Sequence, residues 1–116
     1  MTVTIYHNAR CSKSRDTLAL LQQQGITPSV VAYLETPPSP DDIRRLLSLL
    51  GMTDARALMR KNEAEYKQLG LDAPELSQEA LIAAMAANPR LIERPIVVNG
   101  QRAAIGRPPE NVLGIL

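Results

Sequence analysis

Residues 2–34 read TVTIYHNARCSKSRDTLALLQQQGITPSVVAYL, and the order of patterns in this stretch decides the fold. Thr2-Val3-Thr4-Ile5-Tyr6 is short, β-branched and aromatic, and it gives way to the polar run His7-Asn8-Ala9-Arg10. That is a buried strand and its exit loop. A helix follows. Ser12 or Ser14 is placed to cap it, Asp16 falls in its expected first turn, and Thr17, Leu18 and Leu21 make one apolar face. Gln24-Gly25 ends it, because glycine takes the left-handed conformation past a helix end without steric cost. Residues 28–34 predict a second strand. Strand, helix and strand in so short a span form a βαβ unit, which implies a parallel pair and a right-handed crossover.

The remainder divides into a helical middle and a β-rich end. Thr36-Pro37-Pro38-Ser39-Pro40 is a stiff connector, with Ser39 as cap and Pro40 at the first helical position. Ile43, Leu46, Leu47 and Leu50 then recur at i, i+3, i+4 and i+7 before Gly51. Residues 54–60 and 63–68 predict two shorter helices. Ser77 starts another, with Leu81, Ala84 and Met85 inward, stopped by Asn88-Pro89. After Pro95, Asn99-Gly100 separates Ile96-Val97-Val98 from the run Gln101 to Ile105, a strong hairpin signal. A last helix is expected to carry Val112, Leu113 and Leu116 on one face. The outcome is an α/β fold: one mixed four-stranded sheet flanked by helices, with an all-helical insertion at about 40–88 between the βαβ and ββα halves. No repeat or linker interrupts it, so residues 1–116 read as a single domain.

Composition narrows the function. Thirteen Lys and Arg against twelve Asp and Glu give a net charge of +1, which argues against nucleic-acid binding by charge alone. Three Tyr with no Phe or Trp make no base-stacking platform. One Cys excludes an intrachain disulfide, and one Cys with one His makes a protein-only structural metal site implausible. With no secretory leader pattern and no long apolar run, the chain reads as soluble and cytoplasmic, without membrane partners and with one free thiol.

That thiol, Cys11, lies between the first strand and the first helix, where backbone N–H groups are unpaired and the helix dipole is positive. Arg10, Lys13, Arg15 and His7 add basic residues nearby in sequence. A shift of the thiol pKa from about 8.5 to about 6 would raise the thiolate fraction at pH 7 from a few per cent to roughly 90%. The alternative is a small buried hydrophobe, and a polar loop flanked by Arg10 and Ser12 is a poor place for one. Ser14 stands where a Cys-x-x-Cys motif would have its second cysteine, so no internal thiol can resolve a mixed disulfide. Its hydroxyl either donates to the thiolate or caps the helix. His7 either pairs with the thiolate or is a solvated loop residue. Arg94 and Arg107 each precede a proline at the edge of the hairpin. Planar guanidinium groups suit tetrahedral oxyanions, although surface arginines beside turn prolines would look the same. Arg60, in Leu58-Met59-Arg60-Lys61-Asn62-Glu63, is by itself weaker still.

Together these blocks resemble a known family. His7-Asn8-x-x-Cys11-Ser12-Lys13-Ser14-Arg15 is similar to the active-site loop of the glutaredoxin-dependent arsenate reductases, ArsC-type members of the thioredoxin-like superfamily. Arg60-Lys61-Asn62, Glu93-Arg94-Pro95-Ile96-Val97-Val98 and Gly106-Arg107-Pro108 resemble that family's later motifs, in the same order. The resemblance implies a thioredoxin-like sheet of order 2-1-3-4. It implies Cys11 as the nucleophile towards arsenate, with Arg60, Arg94 and Arg107 binding the oxyanion. It also implies that His7 helps to depress the thiol pKa and that Pro95 is a cis-proline facing the cysteine loop. No bound cofactor is implied; glutathione is the co-substrate and glutaredoxin the partner. Two departures stand out. Ala9 occupies a position where the family commonly has proline, and the chain stops at Leu116, where some longer members extend. Two other readings share the fold: an Spx-type transcriptional regulator that binds RNA polymerase, and a glutathione-dependent oxidoreductase with another substrate. Ser14 removes the redox pair that many of the regulators use, and the three arginines favour an oxyanion site.

Overall fold

The computed structural model describes residues 2–116; Met1 lies outside the described residues. The chain divides into two compact units, one comprising the chain up to Thr36 together with Arg94–Leu116, the other Pro37–Glu93.

The first unit holds the sheet. β1 (Val3–His7), β2 (Ser29–Ala32), β3 (Ile96–Asn99) and β4 (Arg102–Ile105) are ordered β2-β1-β3-β4. β2 runs parallel to β1, and β3 runs antiparallel to both β1 and β4. This is the mixed 2-1-3-4 sheet that the resemblance implies. Alternation along β1 turns Val3 and Ile5 to one face, where they pack with Val97, with Leu21 of α1 (Ser12–Gln23) and with Val112. Gly25 ends α1 with φ 76°, as the sequence pattern requires.

Several expectations need correction here. β2 is shorter than residues 28–34: Pro28 has no N–H for the ladder, and Glu35 and Thr36 both donate to the Ala32 carbonyl, which turns the chain out of the sheet. Neither Ser12 nor Ser14 caps α1; Cys11 is the N-cap residue, and Asp16 falls beyond the first turn. The hairpin loop is Gly100-Gln101 rather than Asn99-Gly100, because Asn99 pairs with Arg102. Gly100, at φ 61°, supplies the positive φ needed at the first position of a type II′ turn. Finally, the last helix, Pro109–Ile115, is 3-10. At three residues per turn Val112 shares a face with Ile115, and both pack on the core, whereas Leu113 and Leu116 lie together on the exposed side.

The second unit is helical: α2 (Pro40–Leu49), a 3-10 turn (Ala55–Leu58), α3 (Ala64–Gln68), α4 (Gln78–Ala87) and a second 3-10 turn (Pro89–Leu91). The expected helix over 54–60 is only that first 3-10 turn, because Met59 leaves it for an antiparallel bridge with Ile92. Ile43, Leu46 and Leu47 of α2 are buried, as are Leu81, Ile82 and Met85 of α4. Ser39 caps α2 in full: its hydroxyl accepts from the Asp42 N–H at 3.1 Å, and Asp42 accepts from the Ser39 N–H at 3.0 Å. Ser39→Ala is therefore expected to cost about 1 kcal/mol, read as a lower urea midpoint with an unchanged slope. No helix among the described residues is long and apolar enough to cross a membrane.

Candidate active site

Cys11 occupies the N-cap position of α1 with an extended backbone, φ −94° and ψ 124°. Its N–H donates to the Asn8 carbonyl and its own carbonyl accepts from Arg15 N–H, both at 3.0 Å. A serine or aspartate at an N-cap offers its side-chain oxygen to the second or third helical N–H. Here that side chain is a sulfur. It makes no regular capping hydrogen bond, but it lies in the field of those same N–H groups. The residue is 9% exposed, and burial pushes the thiol pKa up. Against this act the Ser14 N–H, the Arg94 charge, the Lys13 N–H and the Arg107 charge, and the thiol ends below its ordinary value.

Arg107 reaches the sulfur through the register of the hairpin. Ile96 faces Ile105 in the antiparallel ladder, and Gly106 N–H continues it to the Pro95 carbonyl at 2.9 Å. Arg94 and Arg107 are the next opposed pair. Arg107 Nε donates to the Arg94 carbonyl at 2.8 Å, and its Nη2 lies 3.5 Å from Cys11 Sγ. The Arg94–Pro95 peptide is cis, as the resemblance implies; Arg107–Pro108 is cis as well, which nothing in the sequence indicated.

Ser14 and His7 serve the loop differently from either expectation. The Ser14 hydroxyl is fully buried, accepts from the Asn8 N–H at 2.9 Å and bonds His7 Nδ1 at 2.6 Å. It is the backbone N–H of Ser14, not the hydroxyl, that acts on the thiol. Burial and the Arg15 charge lower the His7 pKa, which disfavours a charged imidazole in the loop. Its hydrogen bond instead fixes Ser14.

Asn8 stood in the sequence only as part of the loop motif, with no role of its own, yet it ties the loop together. Beyond its bonds to Cys11 and Ser14, its Oδ1 accepts from the Arg10 N–H at 3.0 Å. An asparagine heading a short polar loop is the signal that finds such a residue. Ala9 does not leave the loop unsupported, because Arg15 Nη1 donates to its carbonyl at 2.9 Å.

Arg60 belongs to the second unit. Its N–H donates to the Leu91 carbonyl at 2.7 Å, and its Nη1 pairs with Glu63 Oε1 at 2.7 Å. The structure thus brings Cys11, Ser14, His7, Pro95, Arg94 and Arg107 together within the first unit. Among the described residues no group of three or more His, Cys, Asp or Glu could hold a metal ion.

Comparison with known proteins accords with this geometry. The ArsC family matches residues 6–115. A protein of Escherichia coli K12 named uncharacterized protein YfgD is 59% identical over 98% of this chain and 96% of its own. An arsenate reductase of Haemophilus influenzae is 50% identical over the whole of both chains. The solved structure of an arsenate reductase from Vibrio cholerae superposes with a TM-score of 0.98 at 58% identity, covering 100% of this chain and 98% of that one.

Proposed function

We propose that this chain, which belongs to the ArsC family, reduces arsenate to arsenite through the Cys11 thiolate. The observation that carries the reading is a single thiol lowered in pKa at a helix N-terminus, with the Arg107 guanidinium 3.5 Å from its sulfur. Arg94 and Arg107 would hold a tetrahedral oxyanion by charge-assisted hydrogen bonds. The thiolate attacks arsenic and a hydroxide or water leaves, giving a thiol–arsenate ester still at arsenic(V). The chain has no second cysteine, so the remaining thiols come from outside. Glutathione replaces a hydroxyl on arsenic, which leaves as water, and glutaredoxin then takes the glutathione as a mixed disulfide. Those two thiols supply the two electrons that bring arsenic to the (III) state, water displaces the Cys11 sulfur from it, and arsenite leaves as the thiol is regenerated. Phosphate matches arsenate in shape and charge but is not reduced by thiols, so it acts only as a competitor.

The test is the pH dependence of Cys11 alkylation. The midpoint should lie below that of a free thiol, because the helix N–H groups and both arginines favour the thiolate. Arg94→Ala and Arg107→Ala should each move it up, and arsenate or sulfate should slow alkylation of the native protein. A midpoint at the ordinary thiol value that neither anion alters would overturn the reading.

A further inference from the structure

We propose that Arg15 is a positioning residue for Cys11, fixing the one peptide plane on which the turn that delivers the cysteine depends; the inference rests on the reactive-thiol reading above. Cys11 N–H donates to the Asn8 carbonyl at 3.0 Å, which closes a β-turn over Asn8-Ala9-Arg10-Cys11. No non-glycine residue among those described has a positive φ. The turn is therefore type I, since type II needs a positive φ at its third residue. The two types differ by a flip of the central peptide, here the one joining Ala9 to Arg10. Both ends of that peptide are held. Its carbonyl accepts from Arg15 Nη1 at 2.9 Å, and its N–H donates to Asn8 Oδ1 at 3.0 Å.

The Asn8 bond is local, an asparagine side chain closing on the backbone two residues on. The Arg15 bond is different, because it ties the turn to the helix. Arg15 N–H also donates to the Cys11 carbonyl at 3.0 Å, so one residue grips Ala9-Arg10-Cys11 at both ends. The sulfur depends on that grip: the Ser14 and Lys13 N–H groups favour its thiolate, and their aim is set by how Cys11 enters α1. The charges acting on the thiol are those of Arg94 and Arg107, whereas the Arg15 charge acts on His7. What Arg15 gives the sulfur is therefore geometry. A proline at residue 9 would supply part of the same geometry. It fixes φ at about −65°, the value that a type I turn takes at its second residue. Among the described residues no acceptor holds the Ala9 N–H that a proline would remove.

The experiment reads the pH midpoint of Cys11 alkylation, amide hydrogen exchange at Arg10 and Cys11, and the titration of His7 by NMR, in Arg15→Met, Ala9→Pro and the pair. Arg15→Met keeps the aliphatic stem and loses the donors. It is expected to raise the Cys11 midpoint by about half a pH unit, a roughly threefold fall in the ratio of thiolate to thiol. Exchange at the two amides should quicken about tenfold. Ala9→Pro alone should leave the midpoint within about 0.2 pH unit of the native one, and in its presence Arg15→Met should move it by no more than that. His7 is the control for charge: its midpoint should rise with Arg15→Met in both backgrounds, because the Arg15 charge lowers it. Should Arg15→Met melt early, Arg15→Lys carries the same expectation for Cys11 with His7 unmoved, since its ammonium keeps the charge and falls one bond short of the Ala9 carbonyl. If the Cys11 midpoint rises equally with and without the proline, charge and not the turn carries the effect, and the positioning role is wrong. It is equally wrong if Arg15→Met leaves the midpoint and both exchange rates native, or if the proline alone raises the midpoint. A native midpoint at the ordinary thiol value fails the reactive-thiol reading itself, and this inference goes with it.

Discussion

Cys11→Ser is expected to lower arsenate turnover, with glutathione and glutaredoxin present, by at least about 10⁴-fold, while the protein still folds. A serine hydroxyl at neutral pH is neither ionised nor a two-electron thiol nucleophile, so both the attack on arsenic and the ester it forms are lost. The fold should tolerate the change well. Serine is the smaller residue, and at this N-cap its oxygen suits the Lys13 and Ser14 N–H groups that a thiolate otherwise satisfies. The pH dependence of stability separates the two proteins further. The folded thiol titrates below its ordinary value, so it adds stability that is fully present above the unfolded thiol pKa and is lost as pH falls through the folded one. The serine variant lacks that contribution, and the native protein should gain melting temperature relative to it as pH rises across the window. Residual turnover within a few hundredfold of native would mean that another group carries out the chemistry.

Much of the site was legible because it follows from local rules. A cysteine between a strand and a helix meets the helix N–H groups wherever the rest of the chain goes, so Cys11 needed only the pattern of residues 2–25. Arg94 and Arg107 were harder. Their meeting depends on hairpin register, and placing the two-residue loop at Asn99-Gly100 would have set Arg94 against Ile105. Moving the loop one position, to Gly100-Gln101, brings the two arginines opposite each other. Such a difference cannot be read from turn propensity, since both loops contain the same glycine. His7 and Ser14 were each left between two readings, and their partners were not found, because a hydroxyl and an imidazole in a loop have several equivalent choices until the backbone is fixed. The last helix was misjudged for a related reason: Val112, Leu113 and Leu116 share a face at 3.6 residues per turn but not at three.

Gly106 was visible only as part of the Gly106-Arg107-Pro108 motif, and its physical role comes from packing. Gly106→Ala is expected to destabilise the protein by about 1–3 kcal/mol, the range for forcing atoms into a filled interior. For a chain of this length that is a drop of roughly 4–12 °C in melting temperature. A Cβ at residue 106 would come within 2.9 Å of Pro95 Cγ and 3.0 Å of Thr17 Cγ2, and closer still to the Thr17 hydroxyl. Thr17 has nowhere to turn: it is fully buried on α1, with its hydroxyl donating to the Lys13 carbonyl at 2.8 Å and facing the Gly106 carbonyl at 3.4 Å. Space, not a left-handed φ, is therefore what requires glycine here. The contact also lies between the cis-proline and Arg107, so the strain should displace the guanidinium from the sulfur and move the alkylation midpoint of Cys11 upward. Thr17→Ala supplies the control. It removes both Thr17 atoms that the new methyl would meet, so the double variant should be more stable than the sum of the single effects by about 1 kcal/mol. Strict additivity, or a Gly106→Ala protein as stable as the native one, would show that the backbone simply moves apart at this crossing and that the glycine is dispensable.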